Sequence, residues 1–320
     1  MESPYHAWTH RLAVTLAAAT LLLIVVGGGV TTLRAGDTEP SWSLRFWEWF
    51  QPPSRLLEKE GHIWEMSHRQ LGTVVGFVTI AFLVLLWRHE PRAWVRRLGS
   101  LAFAGVVAQG VLGGVRVLVV SDEGDGLRSA LDVETAAGAQ GLRYLFALVH
   151  AGLAYLLFAL MVCLVWLTSR RWRDAEVTRG VDGQRIRRRC VAAAGVVFAQ
   201  LLAGAYLRHA LLWSTAKVVL HAAGALLVGL TVVWLAWTIY DARGRYAALE
   251  RPALYLLLLV QLQIFLGVLA FVAGTGSHAR DFSYAWAAVL QTGHQVVGPL
   301  LFAASAVLLL KAARKLEAPA

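Results

Sequence analysis

Eight separate apolar runs of about twenty residues dominate this chain, near 11–31, 69–87, 98–120, 143–168, 190–208, 217–240, 252–273 and 284–310. Twenty residues of helix cover about 30 Å, the thickness of the hydrocarbon core of a bilayer. The composition agrees, since 58% of the 320 residues are hydrophobic and only 16% are charged, against about 25% charged in soluble domains. The expected fold is therefore all-α and integral to a membrane, with eight transmembrane helices. No short cleavable signal pattern precedes the first run, which is read as a retained helix.

The arginines give the runs a direction. "RHEPRAWVRR" (88–97), "SRRWRDAEVTRGVDGQRIRRR" (169–189), "DARGRYAALER" (241–251) and "KAARK" (311–315) occupy the even-numbered connections and the tail. The positive-inside rule then predicts that both termini are cytoplasmic. The odd loops, near 34–67, 121–142, 209–216 and 274–283, are predicted to face outward. The net charge of +10 follows from topology and attraction to anionic lipid, so no nucleic-acid partner is expected. Two cysteines, Cys163 and Cys190, are too few for a disulfide framework and read as small buried hydrophobes. "GGGV" (27–30) reads as a glycine run for helix packing.

Ionisable groups are expensive inside such segments, which draws attention to the histidines. His68 opens the second run, His150 lies about two turns inside the fourth, His221 opens the sixth and His294 lies about ten residues into the eighth. All four fall on even-numbered spans, in the half of the membrane predicted to be outer. A lone histidine there is commonly a satisfied structural residue, but four at matching depth on alternate helices imply a shared task. The chain also repeats: His68 precedes Gln109 by 41 residues and His221 precedes Gln263 by 42, and both glutamines open Gln-x-x-Leu-Gly. Two pseudo-symmetric four-helix bundles are expected, 1–168 and 190–320, joined by a basic cytoplasmic linker at 169–189 and related by an axis along the membrane normal. Each would hold one histidine pair across its core.

Two imidazoles on facing helices supply the axial ligands of a six-coordinate haem iron, and a bundle core can house the macrocycle. Small residues about one turn from the histidines would let the ring approach: Gly72, Ala147, Ala154, Gly224, Ala225 and Gly298. The carboxylate pairs and cysteine ligands that other metals favour are absent near these histidines.

Six motifs then resemble one family in their order along nearly the whole chain: "EMSHRQLG" (65–72), "AQGVLGGVRVL" (108–118), "AQLLAGAYLRH" (199–209), "VLHAAGALLVG" (219–229), "LQIFLGVLAF" (262–271) and "LQTGHQVVG" (290–298). They are similar to the haem A synthase family of eight-helix membrane enzymes. The resemblance implies oxidation of a ring methyl of haem O, through an alcohol, to the formyl group of haem A. It places a resident haem b on His221 and His294, and the haem being oxidised on His68 and His150. The family's carboxylate falls on Glu65, one turn before His68, near enough to contact the haem held there or to move protons during its oxidation, so Glu65, His68 and His150 are the expected catalytic residues. The resemblance further implies a haem O synthase upstream, an electron donor, a haem-copper oxidase as recipient, and a cytoplasmic membrane location with the haem sites toward the outer face; a homo-oligomer is compatible.

Other residues leave alternatives open. Arg69 and Arg116 suit haem propionates as planar guanidinium partners, or snorkel to headgroups. Arg208 and His209 end the fifth run and could also touch propionates. Gln109, Gln200 and Gln263 read as interhelical hydrogen-bonding residues. The chain departs from the family in lacking an outer-loop cysteine pair and in carrying Gly36-Asp37-Thr38 where Gly-Leu-(Ser/Ala) is usual. The segment "SWSLRFWEWFQPP" (41–53) reads as a short amphipathic helix in the interface. A di-haem protein that only passes electrons or delivers haem fits the four histidines equally; Glu65 beside His68 and the ordered motifs favour the enzyme.

Overall fold

The computed structural model describes residues 5–36, 38–39, 42, 45–57, 59, 61–119, 135–173, 178–179, 183–209, 214–242, 245–274 and 284–317. Eight long helices account for most of them: α1 (Ala7–Thr32), α2 (His62–His89), α3 (Ala93–Leu118), α4 (Ala136–Thr168), α5 (Gly183–His209), α6 (Thr215–Asp241), α7 (Ala247–Gly274) and α8 (Tyr284–Lys315). All eight carry a stretch long and apolar enough to cross a membrane. Local chemistry starts several of them. His6, Thr135 and Ser214 cap α1, α4 and α6 by accepting from the backbone N–H three residues on, which satisfies donors that have no intrahelical partner.

The helices pack in sequence order. Within the first four, α1 lies on α2, α2 on α3, α3 on α4 and α4 back on α1; within the last four, α5 to α8 repeat that cycle. The two sets meet where α8 lies on α1 and α4, and α4 on α5. One buried core joins Leu16, Phe82, Leu86, Val95 and Met161 across α1 to α4. A second joins α5 to α8 and draws in Ile24 and Phe158 at the seam. The division of labour follows: 56% of the apolar window of α8 and 39% of those of α1 and α4 are buried, against 17–22% in the other helices. The outer helices present apolar faces instead. On α6, Leu226, Leu230, Val233 and Trp237 are more than half exposed at three- and four-residue spacing. In water this would be a large uncovered patch; lipid covers it. The chain is a multi-pass membrane protein.

Both termini lie at one end. There the His6 and His89 rings stack at 3.6 Å, His10 bonds Thr168, and Arg314 donates to the Trp172 carbonyl. Buried Glu90 holds Arg92 through two bonds of 2.6 and 2.8 Å, and Arg92 also donates to the Leu167 carbonyl. A two-residue parallel pairing of Thr178–Arg179 with Leu316–Glu317 lies outside the helices. Cys163 and Cys190 are free, the latter fully buried. The tryptophan-rich segment is less regular than one amphipathic helix: it forms a 3-10 turn at Phe46–Trp49 and a helical turn at Pro53–Leu56. Pro52 and Pro53 explain the break, because proline removes a donor and restricts the residue before it. Residues 41, 43 and 44 of that reading, and most of the loops at 121–142 and 274–283, lie outside the described residues.

Candidate functional site

Each of the four histidines lays its ring edge on a glycine of the helix preceding it in the chain. A β-carbon on Gly27 of α1 would stand 2.8 Å from Cε1 of His68, and one on Gly113 of α3 would stand 3.6 Å from Cε1 of His150. The corresponding distances are 3.0 Å from Gly204 of α5 to His221 and 2.8 Å from Gly267 of α7 to His294. At three of the four positions a side chain larger than hydrogen would displace the imidazole. The run at 27–29 divides its work. Gly27 receives His68 and Gly29 receives Trp64, one helical turn apart on α2, while Gly28 faces Thr292 and Gln295 of α8.

One turn before three of these glycines, on the same helix face, stands a glutamine. Gln109 Nε2 donates to the His150 carbonyl at 2.9 Å. Gln200 Nε2 donates to the His221 carbonyl at 2.7 Å and lies 3.1 Å from its Nδ1. At the third site the backbone carbonyl of Gln263 accepts from His294 Nδ1 at 3.0 Å. A carbonyl only accepts, so Nδ1 carries the proton and Nε2 keeps its lone pair. For His221 to present the same nitrogen, the longer contact from Gln200 to Nδ1 must yield while the carbonyl bond remains. In α1 the equivalent residue is Leu23, whose carbonyl lies near the His68 ring without completing a hydrogen bond. Nδ1 of His68 and Nδ1 of His150 are buried without partners.

The His221 and His294 ring centroids are 6.3 Å apart, with the rings at 81°. Two imidazoles bound to one first-row metal ion through nitrogens at about 2 Å hold their centroids about 6 Å apart. The spacing, the fixed tautomer of His294 and the glycine seats fit an iron macrocycle held by two axial nitrogens. His68 and His150 lie near one another, with Arg116 near both.

At the end opposite the termini, Glu65 is almost wholly buried. Its Oε2 accepts from Thr38 N at 2.9 Å, Thr38 Oγ1 at 2.7 Å and Glu39 N at 3.1 Å, and its Oε1 accepts from Arg69 at 2.7 Å. Arg69 also donates to the Glu39 carbonyl at 2.9 Å. Buried His62 extends the network, joining Thr38 Oγ1 at 3.3 Å and Gln51 Oε1 at 3.1 Å. These contacts tie the segment after α1 to the start of α2. The same segment reaches α3, where the Trp42 indole lies on Gly114 and Gly36 lies against the Arg116 guanidinium. Arg208, from the last turn of α5, donates to the Gly28 carbonyl at 3.1 Å and to the Thr32 hydroxyl. Thr32 in turn bonds Thr292 of α8 at 3.1 Å. Arg208 thus ties the second set of helices to α1 and stands near His294.

The glycines expected to admit a macrocycle beside the histidines are a different set from those that seat the imidazoles. Gly224 is filled by the Gln200 side chain, Gly298 faces Leu201 and Gln263, and Gly72 has open space around it. The glycines that seat the rings lie on the preceding helices, where a side chain would collide across the interface. The available signal was a third copy of the pattern: Gln200 to Gly204 matches Gln109 to Gly113 and Gln263 to Gly267. Trp42, Thr38 and His62 were also missed, because nothing in their local sequence marks a contact with a distant helix. Glu65 shares the face of His68 as its spacing predicts, yet its bonds run to Thr38, Glu39 and Arg69.

Eight apolar helices, with four histidines seated on glycines of the preceding helices, define a multi-pass membrane protein. Sequence comparison makes the class specific: the profile of the COX15-CtaA family, cytochrome oxidase assembly protein, matches residues 51–211. The chain belongs to that family. It is similar to the heme A synthase of Cereibacter sphaeroides, 28% identical over 178 residues, covering 52% of this chain and 42% of that protein. It also resembles the heme A synthase of Ruegeria pomeroyi, 30% identical over 144 residues (44% of this chain, 34% of that protein), and that of Rhodopseudomonas palustris, 32% identical over 143 residues (44% and 33%). The matched stretch spans less than half the length of these relatives.

Proposed function

We propose that this chain is a haem A synthase, an oxidoreductase that converts the ring methyl of haem O through the alcohol to the formyl group of haem A. The observation carrying this reading is the seating of all four histidines on glycines of their preceding helices, in a chain that belongs to this family. His221 and His294 would hold a resident haem b, and His68 and His150 would hold haem O as substrate. Bound haem would supply redox chemistry at iron; the protein supplies the seat and its surroundings. Gln263 keeps the ligating nitrogen of His294 unprotonated, and the glycines allow each ring to lie against a neighbouring backbone. Glu65 is a positioning residue in this reading: three of its four donors belong to residues 38–39, and their segment reaches α3 beside Gly113, the seat of His150. Arg116 and Arg208 stand where haem propionates would meet guanidinium groups.

The recurrence of helix order, histidine–glycine pairs and Gln-x-x-x-Gly supports two pseudo-symmetric four-helix bundles, 1–168 and 190–320, joined by the linker at 169–189. The arginine-rich connections all fall at the end that carries the termini, which supports cytoplasmic termini and haem sites toward the outer face of the cytoplasmic membrane. A haem O synthase, an electron donor and a haem-copper oxidase are the partners this activity requires.

The test is pigment analysis of the chain expressed in a membrane host that makes haem O but no haem A. Haem A, or its alcohol precursor, is the expected product by chromatography and mass spectrometry. Glu65→Ala should keep haem on His221 and His294 yet lose conversion. Haem b alone, with haem O supply confirmed, would overturn the enzyme in favour of an electron carrier or haem-delivery protein.

A further inference from the structure

The end that carries the termini holds a cleft of about 360 Å³ between the start of α1 and the end of α4. Its size falls at the lower end of the range for ligand sites, about 300–1,000 Å³. Val165 and Trp166 form an apolar side, while Tyr5, His10, Ser169, Arg170 and Arg171 line the polar remainder. The Arg170 guanidinium is held 4.5 Å over the Tyr5 ring, and Lys311 of α8 sits 3.7 Å over the Trp166 ring. Contact with a ring orients the Arg170 cation without neutralising it. None of the described lining residues is acidic. Glu90, a buried carboxylate, is engaged by Arg92.

Such a cleft matches an amphipathic anion. Its apolar wall is the last turn of α4, and its cationic rim stands where a span ends and headgroups begin. We propose that this cleft binds a phosphate group, that of an anionic phospholipid whose glycerol and first acyl carbons lie along Val165 and Trp166. The guanidiniums of Arg170 and Arg171 would pair with the phosphate, since planar donors match its oxygens. Tyr5 acts by holding Arg170 in place.

The experiment uses the full chain in mild detergent. Phosphatidylglycerol, phosphatidylcholine and inorganic phosphate are titrated separately, with bound lipid counted by native mass spectrometry. The expected result is one phosphatidylglycerol retained per chain in preference to phosphatidylcholine. Arg170→Gln with Arg171→Gln should weaken retention about tenfold. Arg171→Glu alone, at an exposed position, should do the same, while Arg97→Glu, exposed at the same end outside the cleft, should not. Displacement of the lipid by inorganic phosphate would assign the same site to free phosphate. Equal retention of the two lipids with no effect of phosphate, or equal loss with Arg97→Glu, would overturn the proposal.

Discussion

Replacing Gly267 by alanine sets a test of the histidine seats that Gly113→Ala controls. The new methyl at 267 would stand 2.8 Å from His294 Cε1, against an optimal carbon separation of about 3.5–4.0 Å. His294 cannot swing away freely, because its Nδ1–H is held by the Gln263 carbonyl on the same helix as the glycine. Overpacking of this kind costs about 1–3 kcal/mol, and surrendering the hydrogen bond adds about 1 kcal/mol. At 1.4 kcal/mol per decade, haem retention should weaken by roughly thirty- to several-hundred-fold. At 113 the same methyl would meet His150 Cε1 at 3.6 Å, an ordinary contact, so Gly113→Ala should retain haem within about threefold. The assay is haem stoichiometry and the bis-histidine absorption spectrum of purified variants matched for folded protein. Equal losses in the two variants, or full retention with an unchanged spectrum in Gly267→Ala, would refute the link between ring seat and glycine.

Two further outcomes follow from the polar networks at the two ends. Glu65→Gln preserves shape but weakens charge-assisted bonds worth about 1.5–3 kcal/mol, so trypsin should cut at Arg45, Arg55 or Lys59 about ten- to a hundred-fold faster in the variant; an unchanged digestion pattern would show that other contacts hold the segment. At the opposite end, burial and then the neighbouring His89 lower the His6 pKa below its usual 6.5, and its Nδ1 accepts from Thr9 N only when unprotonated. The folded state therefore binds fewer protons than the unfolded chain as pH falls through and below that value, and stability present above pH 6.5 declines on acidification. Thermal unfolding should show the decline in the wild type and a smaller one in His6→Asn, whose side chain can cap α1 without titrating; parallel curves would remove His6 as the cause.

The helices were legible because membrane spanning leaves a long, redundant signal: each run is apolar on every face, and its ends are marked by arginine or a capping side chain. His68, His150, His221 and His294 stood out for a related reason, since an imidazole in an apolar run has no local explanation. Partner choice was less legible. Gly204 and Gly224 look alike in sequence, and only the crossing of α5 on α6 decides that one meets a histidine ring and the other the Gln200 amide. The Glu65 network was hidden for the same reason. Helix periodicity places Glu65 near His68, whereas Thr38 and Glu39 approach it through a connection with no periodicity to read.

The seating of each histidine on the helix just before it has a consequence for biogenesis. Every half-site is complete within one hairpin of consecutive helices, so the α1–α2, α3–α4, α5–α6 and α7–α8 pairs can each form as the chain leaves the ribosome and enters the bilayer. Opposing two imidazoles, by contrast, requires two hairpins to dock, α6 from one against α8 from the next. Local contacts come early and long-range closure late. A ring captured between docked hairpins would then clasp segments made at different moments of synthesis, and a chain made in a cell starved of haem should stop at loosely associated hairpins that are open to membrane proteases.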